Sequence, residues 1–500
     1  MGATEMLQQA DIDILRREPV QPRDLLINGN FKPSRSGEVL TIISPIDGSE
    51  LTTIASGGAE DVDDAVAAAR ASFESGAWSK ASPAQRKKVL FRVAELIDEH
   101  ALELAVLGVR DNGTEIRMAM RGEPGSAAAT FRFYAEAIDK VAGEVAATAD
   151  NYFGMAQREP VGVVGAIVPW NFPLMIGAWK LAPALAVGNS VVIKPAESAS
   201  LSLLRIAELA LEAGLPEGVL NVVTGRGSVT GEALALHMDV DVLVFTGSGT
   251  IGRRLLEYSA RSNIKRVFLE LGGKSPNIVF ADAPDIDAAV KGSVNGMFRN
   301  SGQVCVAGSR LLVQTSIAKE FTEKLLASAN ALRVGDPLDL DSNIGAIANE
   351  EQLHKDLEFV ELAQSEGATL AAGGSRILEE TGGYYMQPTV FTDVDFQMTI
   401  AQEEVFGPVL SVIEFDDVED AIRIANSTSY GLAAGLWTSN LNKAHQMVRA
   451  IRAGVVHVNC YGGAAISLPM GGMKQSGNGY DRSLHALDKF TNLKTAWFSL

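Results

Sequence analysis

From residue 161 onward the chain alternates between short apolar runs and amphipathic stretches. The runs VGVVGAIV, SVVIKP, VLNVVTG, VDVLVFTG, RVFLELGG and NIVFAD, all between residues 161 and 282, predict buried strands. The segments near 174–187, 199–213, 229–238, 250–261 and 285–299 predict helices between them. That alternation implies a parallel sheet covered by helices on both faces. It returns further on with SRLLVQ, helix 316–332, a long helix near 350–366, VLSVIEF, helix 417–426 and GVVHVN, which predicts a second α/β unit. Upstream, residues 59–76 and 84–109 carry apolar residues at helical spacing, with Val89, Leu90, Val93, Leu96 and Ile97 on one face of the second segment. The stretch 142–159 fits neither pattern and predicts a protruding hairpin. The tail KTAWFSL reads as a terminal strand that either pairs with another subunit or closes this chain's own sheet.

Composition narrows the function classes. The 500 residues are 47% hydrophobic and 21% charged, which suits a globular protein of two to four domains. A net charge of −18 offers no basic field for nucleic acid. The polar start and the lack of a long apolar run predict a cytoplasmic protein with no membrane partner. With two cysteines, Cys305 and Cys460, and six scattered histidines, the sequence shows no metal-ligand spacing.

Two features suggest chemistry. Gly247-Ser248-Gly249-Thr250-Ile251-Gly252 follows a predicted strand and opens a helix, the context in which G-x-G-x-x-G brings backbone N–H groups to a pyrophosphate. An acidic residue about 20 positions on would be Glu270, a naive ribose partner. Cys305 lies among small and polar neighbours in NSGQVCVAGSR, which leaves a thiol accessible. Taken singly, a buried free cysteine and a salt-bridged carboxylate describe these residues equally well.

Their joint context is more specific. VPWNFP (168–173), KPAE (194–197), FTGS (245–248), ELGGKSP (270–276), GQVCVAGSR (302–310) and EEVFGPV (403–409) resemble, in order, the successive signatures of the aldehyde dehydrogenase superfamily. The resemblance covers most of residues 25–500. It implies that Cys305 is the nucleophile forming a thiohemiacetal and then a thioester. Asn171 would be the oxyanion donor, together with the Cys305 backbone N–H. Glu270 would be the base that activates water, a role that requires a raised pKa. Lys180 and Asp481 would form a proton-relay pair, the alternative for Lys180 being an exposed ammonium on a helix.

For the cofactor, the resemblance implies NAD. Lys194 and Glu197 would meet the adenine ribose, and the charge of Glu197 would disfavour a 2′-phosphate. Ser248 would meet the pyrophosphate, Glu404 the nicotinamide ribose, and Phe406 would lie beside the ring. Val168, Pro169, Trp170, Gly227, Gly247 and Leu271 complete the expected cofactor set. Phe172, Met175, Trp179, Phe298 and Ala464 are expected along the substrate tunnel. The implied fold is α/β, with two doubly wound parallel-sheet domains of Rossmann type and a β oligomerisation arm. Residues 1–141 and 160–273 would bind cofactor, 274–473 would form the catalytic domain, and 142–159 with 474–500 would form the arm of a homodimer or homotetramer.

The segments 134–146 and 474–500 resemble the branch acting on γ-glutamyl-γ-aminobutyraldehyde and other ω-amino aldehydes. The loop NCYGGAAISLPMGG (459–472) departs from it. That branch places acidic residues near Gly462–Ala465, and this loop has none. Relatives often carry an aromatic where Ala464 stands, so the site is expected to admit a long or bulky aldehyde. Tyr480 replaces a usual Arg and Gly249 a usual Thr. Three alternatives remain at this level: a CoA-acylating enzyme, an NADP-preferring one, and a non-catalytic protein of the same fold.

Overall fold

A computed structural model of the chain describes residues 7–463 and 465–500. Ala464, expected in the substrate loop, lies outside the described residues.

Among the described residues, the first large sheet has seven strands, ordered Arg266–Glu270, Val242–Thr246, Val163–Ile167, Ser190–Lys194, Leu220–Val222, Leu25–Ile27 and Asn30–Lys32. Its first five strands are parallel. The N-terminal hairpin joins antiparallel at the far edge. The second seven-stranded sheet runs Thr369–Ala372, Thr389–Thr392, Val409–Phe415, Arg310–Gln314, Pro276–Val279, Ala433–Trp437 and Val455–Val458. Here only Thr369–Ala372 is antiparallel to its neighbour. Both parallel cores follow the apolar runs, as expected of strands buried on both faces. The antiparallel edges do not show in the sequence, because strands of three or four residues are too short to display a period.

The helix expected over 84–109 is two helices, Pro83–Glu99 and Ala101–Asn112. The first starts on a capping box in which Ser82 and Gln85 satisfy each other's backbone N–H. The chain leaves helical geometry at His100 (φ −104°, ψ 17°). The second helix thereby presents Glu103 to both the His100 ring and Arg205 of helix Leu201–Glu212. The helix expected over 229–238 opens as a wide π-type turn, Gly227–Gly231, before Glu232–Leu236. Among the described residues, no helix is long and apolar enough to cross a membrane.

The hairpin near 142–159 is present as Glu144–Ala146 and Tyr152–Pro160. The tail strand Thr491–Ser499 pairs antiparallel with Tyr152–Pro160 over nine positions, so the tail closes this chain's own three-stranded sheet.

The chain passes from the edge strand of one large sheet to the middle of the other in five residues, 271–275. That crossing is anchored by Arg310, which is fully buried. Its guanidinium donates to the carbonyls of Lys274, Ile424 and Ala425, each at 2.9 Å. Arg310→Met keeps the volume but leaves these buried acceptors unpaired. The expected cost is about 3–5 kcal/mol, seen as a lower urea midpoint; an unchanged midpoint would remove Arg310 from this role.

Candidate active site

The backbone before Cys305 is bent hard. Asn300, Ser301 and Gly302 have φ of 49°, 53° and 73° in succession, a left-handed path that costs energy for non-glycine residues. Neighbours hold it in place. The Asn300 N–H donates to Glu115 Oε1 at 3.1 Å, Thr114 Oγ1 donates to Asn300 Oδ1 at 2.7 Å, and Ser301 Oγ donates to the Gly345 carbonyl at 3.0 Å. A Cβ at Gly302 would lie 2.2 Å from the Gly407 carbonyl, so only glycine fits. Asn171 is fixed by the same turn. Its Nδ2 donates to the Gln303 carbonyl at 2.9 Å, and its own carbonyl accepts from Asn300 Nδ2 at 3.2 Å. A second N–H of the Asn171 amide remains.

Cys305 and Asn171 share a cavity of about 180 Å³ with Pro169, Trp170, Gly247, Ser248, Leu271, Glu404 and Phe406. Thr246, Gln352 and Lys355 also line it, and the sequence reading missed them. One wall is the start of helix Gly249–Arg261, where Ser248 Oγ accepts from the Ile251 N–H at 3.3 Å. Gly252 packs that helix against the strand end, since a Cβ there would lie 2.9 Å from Leu271 Cδ2. Phe406 holds a left-handed φ of 67°, unusual for a bulky residue, and its ring stands edge-on to Trp170 at 5.4 Å. Across Trp170 lies a second cleft of about 760 Å³ lined by Lys194, Glu197, Arg226, Glu350 and Glu351.

The two glycines of the crossing let charged groups approach. A Cβ on Gly272 would fall 2.0 Å from Glu404 Oε2, and one on Gly273 would fall 2.6 Å from the Cys305 carbonyl. The Gly273 N–H donates to Glu404 Oε1 at 2.9 Å. Burial nonetheless pushes Glu404 up to about 7.

Glu270 sits behind this wall rather than on the cavity lining. It ends an edge strand, and the segment 476–479 seals that edge. Leu271 N–H donates to the Ser476 carbonyl, Gly479 N–H donates to the Leu269 carbonyl, and Asn478 Oδ1 accepts from the Leu269 N–H. A Cβ at Gly477 would lie 2.1 Å from the Leu269 carbonyl, and one at Gly479 would lie 3.1 Å from Glu270 Oε1. Glu270 Oε1 is buried without a hydrogen-bond partner among the described residues. Burial, reinforced by the charge of Asp481, raises its pKa well above the carboxylate range; Lys180 and Lys489 oppose the rise.

Lys180 is buried, not an exposed ammonium, and lies 2.5 Å from Asp481 Oδ2. Lys489, which the sequence reading missed, lies 2.6 Å from Asp481 Oδ1. Burial works against ionisation of Asp481, yet the two ammonium groups hold its carboxyl below the ordinary range. Cys305 is pushed up to about 12 by burial, then by the charges of Glu404 and Glu270, with Arg299 acting the other way. Cys305 and Cys460 are both free thiols.

Other expected residues lie outside the two clefts. Val168 is buried and donates its N–H to the Lys194 carbonyl at 3.2 Å. Gly227 opens the π-type turn; its neighbour Arg226 is the one that reaches the second cleft. Phe172, Trp179 and Phe298 are buried in the main apolar core, with Met175 packed against it, and none of the four lines either cleft. Sequence cannot separate these roles, because an aromatic facing a core and one facing a tunnel have the same helical spacing.

The lysine–aspartate–lysine cluster makes its own prediction. Asp481→Asn would strand two buried ammonium groups and destabilise the protein by about 3–5 kcal/mol. Adding Lys489→Met should recover part of that loss in thermal denaturation. Additive losses would refute the coupling.

The sequence profile described as "Aldehyde dehydrogenase family" matches residues 31–496. The chain is 49% identical over 479 residues to the NADP/NAD-dependent aldehyde dehydrogenase PuuC of Escherichia coli (strain K12), covering 95% of each chain. It superposes with a TM-score of 0.98 and 50% identity on the indole-3-acetaldehyde dehydrogenase of P. syringae, a mutant solved in complex with NAD+ and IAA, covering 99% of this chain and 100% of that one. A γ-glutamyl-γ-aminobutyraldehyde dehydrogenase from Burkholderia cenocepacia superposes with a TM-score of 0.97 and 49% identity, with the same coverage.

Proposed function

The chain belongs to the aldehyde dehydrogenase family, and from that membership we propose that it oxidises an aldehyde to a carboxylic acid with NAD, through a thioester on Cys305. The observation that carries this reading is a single cleft in which Cys305 and Asn171 share a wall with the Ser248-capped helix start, while a desolvated Glu270 waits behind Leu271.

The residues present fit the dinucleotide. The helix N-terminus offers free N–H groups for a pyrophosphate. Thr246 Oγ1 is buried in the cleft wall without a hydrogen-bond partner among the described residues. Glu404 is positioned to accept from ribose hydroxyls, as is Glu197 across Trp170, where the Lys194 ammonium can donate to a ribose oxygen. NAD, when bound there, supplies the hydride acceptor that turns the thiohemiacetal into the thioester.

The chain's own residues perform the rest. The Cys305 thiol gives its proton to the Glu270 carboxylate, which creates the thiolate and removes one opposing charge in the same transfer. The sulfur adds to the aldehyde carbon, and the alkoxide that forms receives hydrogen bonds from the free N–H of Asn171 and the backbone of Cys305. After oxidation, Glu270 releases to solvent the proton it took from Cys305; ionised again, it takes a proton from water, which attacks the thioester carbon. The acid leaves and the thiolate returns. Lys180, Asp481 and Lys489 serve as the proton reservoir behind Glu270.

Glu197, Glu350 and Glu351 place negative charge along the second cleft, which supports NAD over NADP. The edge of the three-stranded sheet exposes Leu493, Trp497 and Phe498, which supports a homodimer or homotetramer built on this arm.

Cys305→Ala should abolish oxidation while NAD binding, followed by fluorescence quenching, persists; turnover by this variant would refute the thioester route. In the wild type the rate should climb with pH through a value above the ordinary carboxylate range, because Glu270 works only when ionised and its pKa is raised. Glu270→Gln should lose that limb and accumulate acyl-enzyme in a burst experiment. An unchanged profile takes Glu270 out of the reaction.

A further inference from the structure

Arg299 ends the helix Ile286–Phe298 and begins the left-handed turn that leads to Cys305. Its guanidinium rests against the loop that begins at Asn459. A Cβ on Gly462 would lie 3.1 Å from Arg299 Nη1 and 3.6 Å from Cζ. The same charge acts on Cys305, His457 and Tyr461. Yet Arg299 makes no ion pair or hydrogen bond with any described residue, and its Nε is buried without a partner. A cation half out of water with no counter-charge is costly unless something arrives to pair with it.

The surrounding carboxyls do not fill that role. Glu115 is pushed up to about 7 by burial and already accepts from the Asn300 N–H. Glu123 is pushed up to about 8 by burial and accepts from the Met175 N–H at 2.6 Å. Asp481 is engaged by two lysines. The loop 459–472 contains no Asp or Glu. Among the described residues, none of these carboxyls pairs with Arg299.

We propose that Arg299 selects aldehydes bearing a carboxylate, pairing with it at the end of the substrate remote from the carbon that Cys305 attacks. This rests on the aldehyde-oxidising reading above and narrows it to semialdehydes of dicarboxylic acids and similar aldehyde acids, in place of the ω-amino aldehydes expected from the chain's ends. Arginine suits the task because its planar fork meets a carboxylate through two parallel N–H bonds.

The test compares kcat/KM for three chain-matched substrates, an ω-carboxy aldehyde, the plain alkanal and the ω-amino aldehyde, in the wild-type holoenzyme with NAD. The wild type should rank them in that order. Arg299→Gln should lower the carboxylate-to-alkanal ratio by about tenfold to a hundredfold. Arg299→Lys should keep most of the ratio, and Arg299→Glu should turn the ranking toward the amine. A dicarboxylate should slow iodoacetamide labelling of Cys305 in the wild type and much less in Arg299→Gln, a readout that needs no turnover. Equal losses on all three substrates would assign Arg299 to the ionisation of Cys305 and overturn the proposal, as would an ω-amino aldehyde as the best wild-type substrate. If the wild type oxidises no aldehyde, the parent reading fails; if it oxidises the alkanal with a flat ratio, only the substrate class fails.

Discussion

Exclusion of water from ionisable groups governs this site. Cys305, Glu404 and Glu270 are each driven toward their uncharged forms by burial. The glycines around them make this possible. Gly272, Gly273, Gly477 and Gly479 remove the atoms that would hold backbone and carboxyl apart, so the groups are sealed by main chain rather than by bulky side chains. Main chain is a rigid wall with fixed dipoles, and close approach to it desolvates the ionisable groups. Burial that disfavours the thiolate protects the sulfur from oxidation and alkylation, since the thiolate is the reactive species.

The site cannot be assigned to one stretch of chain. Glu270 belongs to the edge of the first sheet, and Cys305 precedes a strand in the second. The final turn of the chain brings Asp481 and Lys489 back to Lys180, a contact between residues about three hundred apart in sequence. Such a buried ion cluster adds little net stability, because desolvation consumes most of the attraction. Its value is registry. Two lysines converge on one carboxylate only when the C-terminal segment lies along Leu269 and Glu270, so the cluster fixes how Glu270 is covered.

The sequence announced features that repeat within a short window. VLSVIEF coincides with the strand Val409–Phe415, and the apolar face of Leu90, Val93, Leu96 and Ile97 is buried as expected. The motif residues fall at strand ends and helix starts because those are where a parallel sheet leaves backbone groups unpaired. What escaped was set by distant contact. The break at His100 interrupts no periodicity, since both halves keep an apolar face. Lys489 looks like a charge on a solvated face until the fold buries it, while Lys355 stays exposed at the cleft rim and Arg299 half-buried beside a distant loop. The aromatics Phe172, Trp179 and Phe298, motif neighbours of the nucleophile, are buried within the main apolar core.

Arg299 ties substrate recognition to the nucleophile. Its charge, together with a backbone hydrogen bond from Val306, favours ionisation of Cys305 against burial and two carboxyls. A substrate carboxylate that pairs with Arg299 would cancel that help at the moment the thiolate is required. The site resolves this only if the proton has another destination nearby, and Glu270 is suited to it: its own raised pKa makes it a stronger base than an ordinary carboxylate, and its neutralisation relieves the thiolate. An enzyme that reads an anionic substrate with the cation beside its thiol therefore depends on its base twice, once to free the sulfur and once to release the acid, which gives a physical reason for keeping Lys180, Asp481 and Lys489 in reserve behind it.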